Sequence, residues 1–292
     1  MSAAHAAKTA GPAVRGDYRV RQMARSEVSL AIDWAAAEGW NPGLDDAECF
    51  FAADPNGFFL GELDGEPIGC CSAVAYDDAF AFFGLYIVKP GFRGQGFGSE
   101  LARAAFHYIG ARNAGLDGVV AMQDKYARLG FRFAHRNVRY HGVCEGERRR
   151  GIVDLALVPF HVLSAYDRLH FPAPRTAFLK RWIDRPGGAA LGFVEAGRLC
   201  GYAVLRPCRS GFKIGPLFAD SEPIADALFL ALATRSAGQP IVLDTPQSNP
   251  RAIALAERYG MEPVFETARM YRQGAPAVPL ENVFGITTFE LG

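Results

Sequence analysis

The spacing of apolar positions switches repeatedly along the chain between every second residue and the spacing of a helix, which predicts a mixed α/β fold. Alternation predicts a strand at 18–23 and, after two helices, a pair of strands joined through the turn Asp64–Gly65. Helical spacing begins at Ser26, a residue type that favours the N-cap, and again after the turn at 41–43. The next stretches are typical of strand, helix, strand, helix and strand, in the order AFAFFGLYIV, GSELARAAFHYIGARN, LDGVVAMQ, DKYARLG and FRFAHRNVRYHGV.

The same order of elements begins again after 145–151, a charged segment without apolar periodicity. GFVEAGRLCGYAVLRP is similar to the earlier LGELDGEPIGCCSAV, and LAERYGMEPVFETARMY is similar to DKYARLGFRFAHRNVRY. The sequence therefore predicts a duplicated α/β domain. The expected division is a disordered N-terminus at 1–17, a first unit at 18–147 and a second unit at 148–292. Four anchors keep the halves in register, pairing Gly65 with Gly197, Gly69 with Gly201, Gly130 with Gly260 and Arg139 with Arg269.

Composition allows a large core and argues against several classes of partner. Of the 292 residues, 50% are hydrophobic, which suits one large domain or two of ordinary size. The 31 basic and 31 acidic residues cancel, so neither nucleic acid nor a membrane surface is expected as a partner. No apolar run approaches the roughly 18 residues of a membrane span, and the N-terminus lacks the apolar stretch of a secretory signal.

The six cysteines form no CxxC pair, and we interpret them as buried, reduced thiols of a cytoplasmic protein. No histidine cluster accompanies them, so no metal is expected. The lone histidines His107, His135 and His141 have no partner at the spacing of a metal site or a catalytic triad, and core or surface positions are expected for them.

The segment VKPGFRGQGFGSEL places glycines at alternate positions between a predicted strand and the start of a helix. Glycines there let backbone N–H groups turn inward at the positive end of the helix dipole, which predicts a pyrophosphate site. The pattern does not fit a dinucleotide fingerprint, because Ser99 stands where the third glycine would be, and it lacks the lysine of a Walker loop. What remains is Arg-x-x-Gly-x-Gly at 93–98.

The second half departs from the first at this loop. The corresponding segment, GPLFADSEPIADAL at 215–228, has lost the arginine and the alternate glycines and has gained Asp220 and Glu222. Carboxylates at this position would repel an anion, so only the first half is expected to bind one.

Two motifs carry a resemblance to a known superfamily. VKPGFRGQGFG resembles the coenzyme A pyrophosphate loop of the GNAT acyltransferases, and YARLGF at 126–131 resembles their Y-x-x-x-G-F signature. The resemblance covers roughly residues 18–143, and the whole chain is similar to bacterial proteins that pair a GNAT domain with a divergent second GNAT-like domain. It implies a tandem duplicated GNAT fold, each half a mixed, mostly antiparallel sheet flanked by helices, with acetyl-CoA as co-substrate.

The resemblance also implies roles for individual residues. A backbone N–H near Ile87 or Val88, on a strand that splays from DGVVAM, would bind the thioester carbonyl and contribute about 3 kcal/mol. Tyr126 would protonate the leaving thiolate, although an aromatic ring packed on the co-substrate explains it equally simply. The expected set of acetyl-CoA-binding residues is Tyr86, Ile87, Val88, Arg93, Gly94, Gln95, Gly96, Phe97, Gly98 and Ser99.

An amine acceptor adds a second requirement, because a lysine-like ammonium with a pKa of about 10.4 must lose a proton before it attacks. The sequence does not identify the base, since each candidate is also explained as a solvated or capping carboxylate. The candidates are Glu38, Asp45, Asp46, Glu48 and Asp117.

The acceptor pocket is predicted around 40–42, where Trp40 would form an apolar wall and Asn41 a polar orienting group. An ordinary turn with a packed tryptophan explains the same residues. The second half is expected to cover this side, with the tail ITTFELG adding a strand to one sheet.

The leading hypothesis is an N-acetyltransferase that moves an acetyl group from acetyl-CoA to a primary amine of a small molecule. Direct attack in a ternary complex is preferred, because no Ser or Cys has the setting of an activated nucleophile. Two alternatives remain open, a non-catalytic acyl-CoA sensor and a protein-lysine acetyltransferase. Association into a homodimer is left open as well.

Overall fold

The computed structural model describes residues 16–292, in which thirteen strands form one continuous, mostly antiparallel sheet accompanied by eight α-helices. Almost all of the N-terminal segment predicted at 1–17 lies outside the described residues. The strands of the first half are β1 (Tyr18–Gln22), β2 (Phe58–Leu63), β3 (Glu66–Ala75), β4 (Phe80–Val88), β5 (Asn113–Val119) and β6 (Arg132–Gly142). Its helices are α1 (Val28–Ala37), α2 (Asp46–Ala53), α3 (Phe97–Ile109) and α4 (Gln123–Arg128).

The second half repeats this order and adds a short last strand. Its strands are β7 (Ile152–Asp154), β8 (Ala189–Glu195), β9 (Arg198–Pro207), β10 (Phe212–Ala219), β11 (Ile241–Pro246), β12 (Glu262–Tyr271) and β13 (Val283–Gly285). Its helices are α5 (Phe160–His170), α6 (Thr176–Ile183), α7 (Glu222–Ala233) and α8 (Pro250–Arg258). The duplicated α/β fold expected from the sequence is confirmed.

The two halves exchange their last long strands. The sheet runs β1-β2-β3-β4-β5-β12-β6-β11-β10-β9-β8-β7, with β13 paired to β10. Strand β12 of the second half therefore lies beside β5 of the first, and β6 of the first half lies beside β11 of the second. In the middle of the sheet β6 and β12 pair with each other. Each half thus completes the sheet of the other.

The two arginines that anchor the sequence repeat hold this exchange together. Arg139 on β6 lies opposite Asp244 on β11 and donates to its two carboxylate oxygens over 2.7 and 2.8 Å. Arg269 on β12 lies opposite Asp117 on β5 and donates over 2.9 and 2.6 Å. Both ion pairs are buried and bidentate, and loss of one partner from such a pair costs about 3–5 kcal/mol. The equivalent ion pairs therefore fix which strands become neighbours.

Each half contains one pair of parallel strands that separates partway along. In the first half, 80–83 of β4 pair with 113–116 of β5, and the strands then diverge. In the second half, 212–214 of β10 pair with 241–243 of β11 before they diverge. The strand separation expected beside DGVVAM is present.

The C-terminal segment closes the second of these openings. Strand β13 pairs with β10, and the N–H of Ile286 donates to the carbonyl of Asp244 on β11 over 2.9 Å. The added strand lies just upstream of the predicted ITTFELG. Residues 286–292 then continue, buried, to the first half, where the hydroxyl of Tyr76 donates to the carbonyl of Leu291 over 2.8 Å.

The start of α1 differs from the sequence prediction. Ser26 is not the N-cap, because it lies inside a 3-10 turn at 25–27 and the helix begins at Val28. The carboxylate of Glu27 takes over the entry of the helix, accepting from the N–H of Ala24 over 2.7 Å and from the guanidinium of Arg21. Glu27 has a longer side chain than Ser26 and is also paired with Arg21, so Glu27 rather than Ser26 binds the backbone at the entry of the helix.

The structure bears on the expectations about the cysteines, a metal site and a membrane span. All six cysteines are buried free thiols. Within 16–292, no three His, Cys, Asp or Glu side chains gather as a metal-binding group. Among the helices that the structure describes, none is long and apolar enough to cross a membrane.

Candidate active site

A cavity of about 1260 Å³ lies along the opening between β4 and β5. Its lining comes from three regions. These are the glycine loop with one side of α3, the separated strands with α4, and a wall made of Glu38, Trp40 and a group of residues from the second half.

The glycine loop enters α3 through a conformation that favours glycine. Gly96 is the N-cap of the helix with φ of 91°, and Gly94 has φ of 77°. The first turn of a helix leaves N–H groups without intrahelical partners, and here that turn borders the cavity. The Arg93 side chain donates to the carbonyl of Val88 over 2.7 Å and pairs with Glu38.

Eight of the ten residues predicted to bind acetyl-CoA line this cavity. Gln95 lies outside the lining, and its side-chain amide donates to the carbonyl of Gly91 over 3.0 Å. Phe97 also lies outside, buried with its ring 4.7 Å from that of Tyr18. The eight are Tyr86, Ile87, Val88, Arg93, Gly94, Gly96, Gly98 and Ser99.

A bulge interrupts β4 where it leaves β5. The pairing with β3 shifts between Gly84 and Ile87, so β4 carries an extra residue there. Leu85 has φ of 46°, an uncommon conformation for a residue with a side chain. Bulges and strained backbone are frequent beside functional sites, because they redirect backbone groups and side chains.

Strand alternation then decides which backbone groups face the opening. The N–H of Lys89 donates to the carbonyl of Ile68 over 2.9 Å, on the β3 side. Since backbone N–H groups alternate in direction along a strand, the N–H of Val88 faces the β5 side. That side is the opening.

Tyr126 on α4 lines the cavity, packs over Gly118 of β5 and is buried. A Cβ at Gly118 would stand 2.4 Å from the tyrosine ring, so glycine at this position makes room for it. Burial and, secondarily, the nearby Tyr86 raise the pKa of Tyr126 to about 12. Its phenol is therefore protonated at neutral pH.

The remaining wall of the cavity is aromatic and comes largely from the second half. Trp40 lines it, as do Phe265 of β12 and Phe289 of the C-terminal segment, whose rings are 6.0 Å apart. Arg139 joins the two halves there, donating to the carbonyl of Trp40 over 2.8 Å with its guanidinium 4.6 Å from the ring of Phe289. The second half therefore covers the cavity beside Trp40, and the role of this wall as the acceptor side stays a prediction.

Asn41, the predicted orienting group, lies outside the lining. Its side-chain amide donates to the carbonyl of Ser210 and accepts from the N–H of the same residue, both over 2.9 Å. Asn41 thus joins the turn at 41–43 to the β9–β10 connection of the second half.

The structure separates the five candidate carboxylates. Glu38 and Asp117 line the cavity, the first paired with Arg93 and the second with Arg269. The others do not line it. Asp45 precedes α2, Asp46 is buried with Arg185 and the N–H of Gly43, and Glu48 pairs with Arg25 at the surface.

The three lone histidines have different surroundings. His107 lines the cavity and His141 is exposed. Burial, with Arg269 adding to it, lowers the pKa of His135 to about 3, so this imidazole is neutral at physiological pH.

Sequence reasoning missed the cavity residues supplied by the second half, above all Glu290 next to Phe289. The available signal was an acidic residue inside the apolar tail. It also missed the local charge, because the lining includes five Lys or Arg side chains against three carboxylates in a chain with no net charge. The basic residues are Arg93, Arg103, Lys125, Arg128 and Arg272.

Comparison with known proteins agrees with this geometry. The family described as "Acetyltransferase (GNAT) family" matches residues 23–131, and the "Acetyltransferase (GNAT) domain" matches residues 163–285. The chain is 31% identical over 269 residues to the holothin acyltransferase of Pseudoalteromonas sp. (strain SANK 73390), covering 91% of this chain and 92% of that protein.

Two solved structures show the same fold. A putative acetyltransferase from Pyrococcus horikoshii has a TM-score of 0.80 at 21% identity and covers 98% of this chain and 100% of its own. A tandem GNAT protein from the clavulanic acid biosynthesis pathway has a TM-score of 0.62 at 16% identity, covering 87% and 98%. The chain belongs to the GNAT acyltransferase family and carries two GNAT domains in tandem.

Proposed function

We propose that the protein transfers an acetyl group from acetyl-CoA to a primary amine of a small molecule, by direct attack in a ternary complex. The observation that carries this proposal is that a single cavity joins the glycine loop, the opening between β4 and β5, Tyr126 and an aromatic wall. In this proposal the unit at 18–147 binds the co-substrate and the unit at 148–292 shapes the acceptor pocket.

The co-substrate fits the first two regions of the lining. A diphosphate would lie on the N–H groups of Gly94 to Gly98, where the helix dipole favours an anion. The five basic side chains of the lining favour the same negative charge. Beyond 83 and 116, β4 and β5 no longer pair with each other. A pantetheine amide would pair with the backbone groups that these two strands turn toward the opening.

The reacting carbonyl would then lie at the end of the opening. The N–H of Val88, which faces β5, is the donor that we assign to the thioester oxygen, whose negative charge grows during attack. Tyr126 would give its proton to the leaving sulfur. A thiolate with a pKa of about 8.5 is a tolerable leaving group, so this acid assists the reaction without being indispensable.

The acceptor would enter against Trp40, Phe265 and Phe289. Because the second half encloses this side, a small molecule fits it better than a protein segment. The relative from Pseudoalteromonas is named for acylating holothin. No specific observation favours either alternative, a non-catalytic acyl-CoA sensor or a protein-lysine acetyltransferase.

The test combines thiol release from acetyl-CoA, over a panel of small amines, with the substitution Gly96→Glu. A carboxylate at the N-cap would repel the diphosphate, so we expect calorimetric binding of acetyl-CoA and amine-dependent thiol release both to fall by about 100-fold or more. Acetyl-CoA binding without thiol release for any amine would favour the sensor, and no binding at millimolar concentration would overturn the proposal.

Two controls isolate the carboxylate. Gly96→Ala tests the strain of a side chain at φ of 91° without the charge. Gly91→Glu places the same charge in the same loop outside the cavity lining, at a position where a Cβ meets nothing within 4 Å. We expect both variants to bind acetyl-CoA much better than Gly96→Glu does.

A further inference from the structure

Three carboxylates line the cavity, and two of them are already engaged. Glu38 pairs with Arg93. Asp117 accepts two hydrogen bonds from Arg269, over 2.9 and 2.6 Å, and a third from the side-chain amide of Asn137 over 2.7 Å. A carboxylate with both oxygens held by a guanidinium and one of them also by an amide has a structural role.

The third carboxylate, Glu290, has a different environment. Its exposed fraction is only 3%, and within the described residues its buried Oε2 has no hydrogen-bond partner. Buried polar atoms are almost always hydrogen-bonded, so an unpartnered carboxylate oxygen on a residue that lines the cavity points to a missing partner such as a ligand.

The backbone holds Glu290 firmly beside the β4 bulge. The N–H groups of Glu290 and Leu291 both donate to the hydroxyl of Thr288, over 3.1 and 2.9 Å. The carbonyl of Glu290 packs on Gly84, where a Cβ would stand 2.0 Å from the oxygen. The backbone of Glu290 is therefore fixed next to the strand that carries Val88, and a side chain at 84 would displace it.

The groups around Glu290 are mainly cationic. Arg139 on β6, Arg206 on β9 and Lys213 on β10 interact electrostatically with it, and Asp244 on β11 lies among the same cations. Both Arg139 and Asp244 are committed to each other. Within the described residues, none of these cations donates a hydrogen bond to Oε2.

We propose that Glu290 is a catalytic residue, the carboxylate that binds the ammonium of the acceptor and takes its proton before attack. This inference rests on the proposed function. At pH 7 only about one lysine-like amine in 2,500 is neutral, so a base at the acceptor end removes a real obstacle. The base would thus come from the half that has lost its own anion loop.

The protons balance as follows. One proton passes from the ammonium to Glu290 and then to water. The neutral nitrogen forms the C–N bond with the thioester carbon, the C–S bond breaks, and Tyr126 protonates the sulfur. The second proton lost by the nitrogen restores Tyr126, so the products are an amide, a thiol and one proton in solution.

The experiment compares Glu290→Gln with the wild type on two classes of acceptor. Alkylamines such as benzylamine are ammonium ions at pH 7, whereas arylamines such as aniline are neutral and need no base before attack. We expect kcat with alkylamines to fall by roughly 100-fold or more, and kcat with arylamines to stay within about threefold. Calorimetric affinity for acetyl-CoA should not change, and Glu290→Asp should restore part of the alkylamine rate.

A matched control is Glu281→Gln, which removes the same charge from an exposed position earlier in the same segment. It should behave as the wild type. An equal loss with both amine classes in Glu290→Gln would show a merely structural role and would overturn the inference, as would an unchanged alkylamine rate. If the wild type transfers to neither class, the proposed function fails and takes this inference with it.

Discussion

The opening between β4 and β5 borders the cavity, whereas its counterpart between β10 and β11 is filled by β13. The two openings have the same origin in the fold, since each follows a short stretch of parallel pairing. One half keeps an open space in its sheet. The other half filled that space with its own chain.

Two further differences agree with this division. At the helix start after the opening, the first half has the glycine loop and the second has Asp220 and Glu222, which bind Tyr166 and Arg258. The N–H of Phe131 donates to the carbonyl of Tyr126, and that of Met261 donates to the carbonyl of Ala256, both over 3.1 Å. The second half therefore has alanine where the first has the candidate acid. The second half thus lacks counterparts of the glycine loop and of Tyr126, although it supplies residues to the cavity of the first half.

The largest expected effect comes from loosening the strand that fills the second opening. Phe284 on β13 is fully buried, and Phe284→Ala should lower the free energy of unfolding by about 3–5 kcal/mol. Urea unfolding measures this, with Val264→Ala at an exposed position as the control. Calorimetry should still find one acetyl-CoA per chain, because Asp220 and Glu222 remain. A second equivalent would mean that β13 alone excludes the ligand.

An intermediate effect is expected from removing the acid that only the first half has. Tyr126→Phe should lower kcat by about 10- to 100-fold, because the sulfur then leaves without a proton, while KM for acetyl-CoA stays within about threefold. Steady-state thiol release measures both constants. Tyr259→Phe removes a hydroxyl from the equivalent region of the second half and should leave kcat unchanged. An unaffected kcat in Tyr126→Phe would support a packing role for this ring.

The smallest effect is a difference in alkaline stability. Burial raises the pKa of Tyr126 to about 12, so its stabilising contribution is complete below the unfolded pKa of about 10 and is lost as pH rises through 12. Between pH 8 and pH 11 the wild type should therefore lose about 1 kcal/mol more than Tyr126→Phe. Urea unfolding at pH 8 and pH 11 tests this. Between pH 6 and pH 8 the free energies of unfolding of the two proteins should change by the same amount. Parallel losses up to pH 11 would show that the phenol is solvated.

Local patterns in the sequence predicted much of this arrangement. Alternate glycines before a helix predicted the loop at 93–98, and the missing glycines predicted the divergence of the second half. Both inferences depend on neighbouring residues, whose chemistry is readable from a short segment.

The strand exchange could not be predicted in the same way. The alternation in β6 and β12 shows that both are strands but carries no information about which strand lies beside them. Arg139 and Arg269 were visible as repeat anchors, yet their partners Asp244 and Asp117 lie far away in sequence and in the other half. For the same reason Asp117 looked like a candidate base, and Glu290, more than 160 residues beyond the other cavity carboxylates, was not considered.

The crossing of β6 and β12 has a consequence for any attempt to divide the chain. A protease cut within 143–151 would leave two polypeptides whose strands remain paired with each other in one sheet. The nicked protein should therefore still migrate as one particle under native conditions. Either half made alone would expose an unpaired sheet edge, which favours pairing with another copy of the same half. This is the geometry that two identical subunits sharing their final strands would leave after their genes were joined.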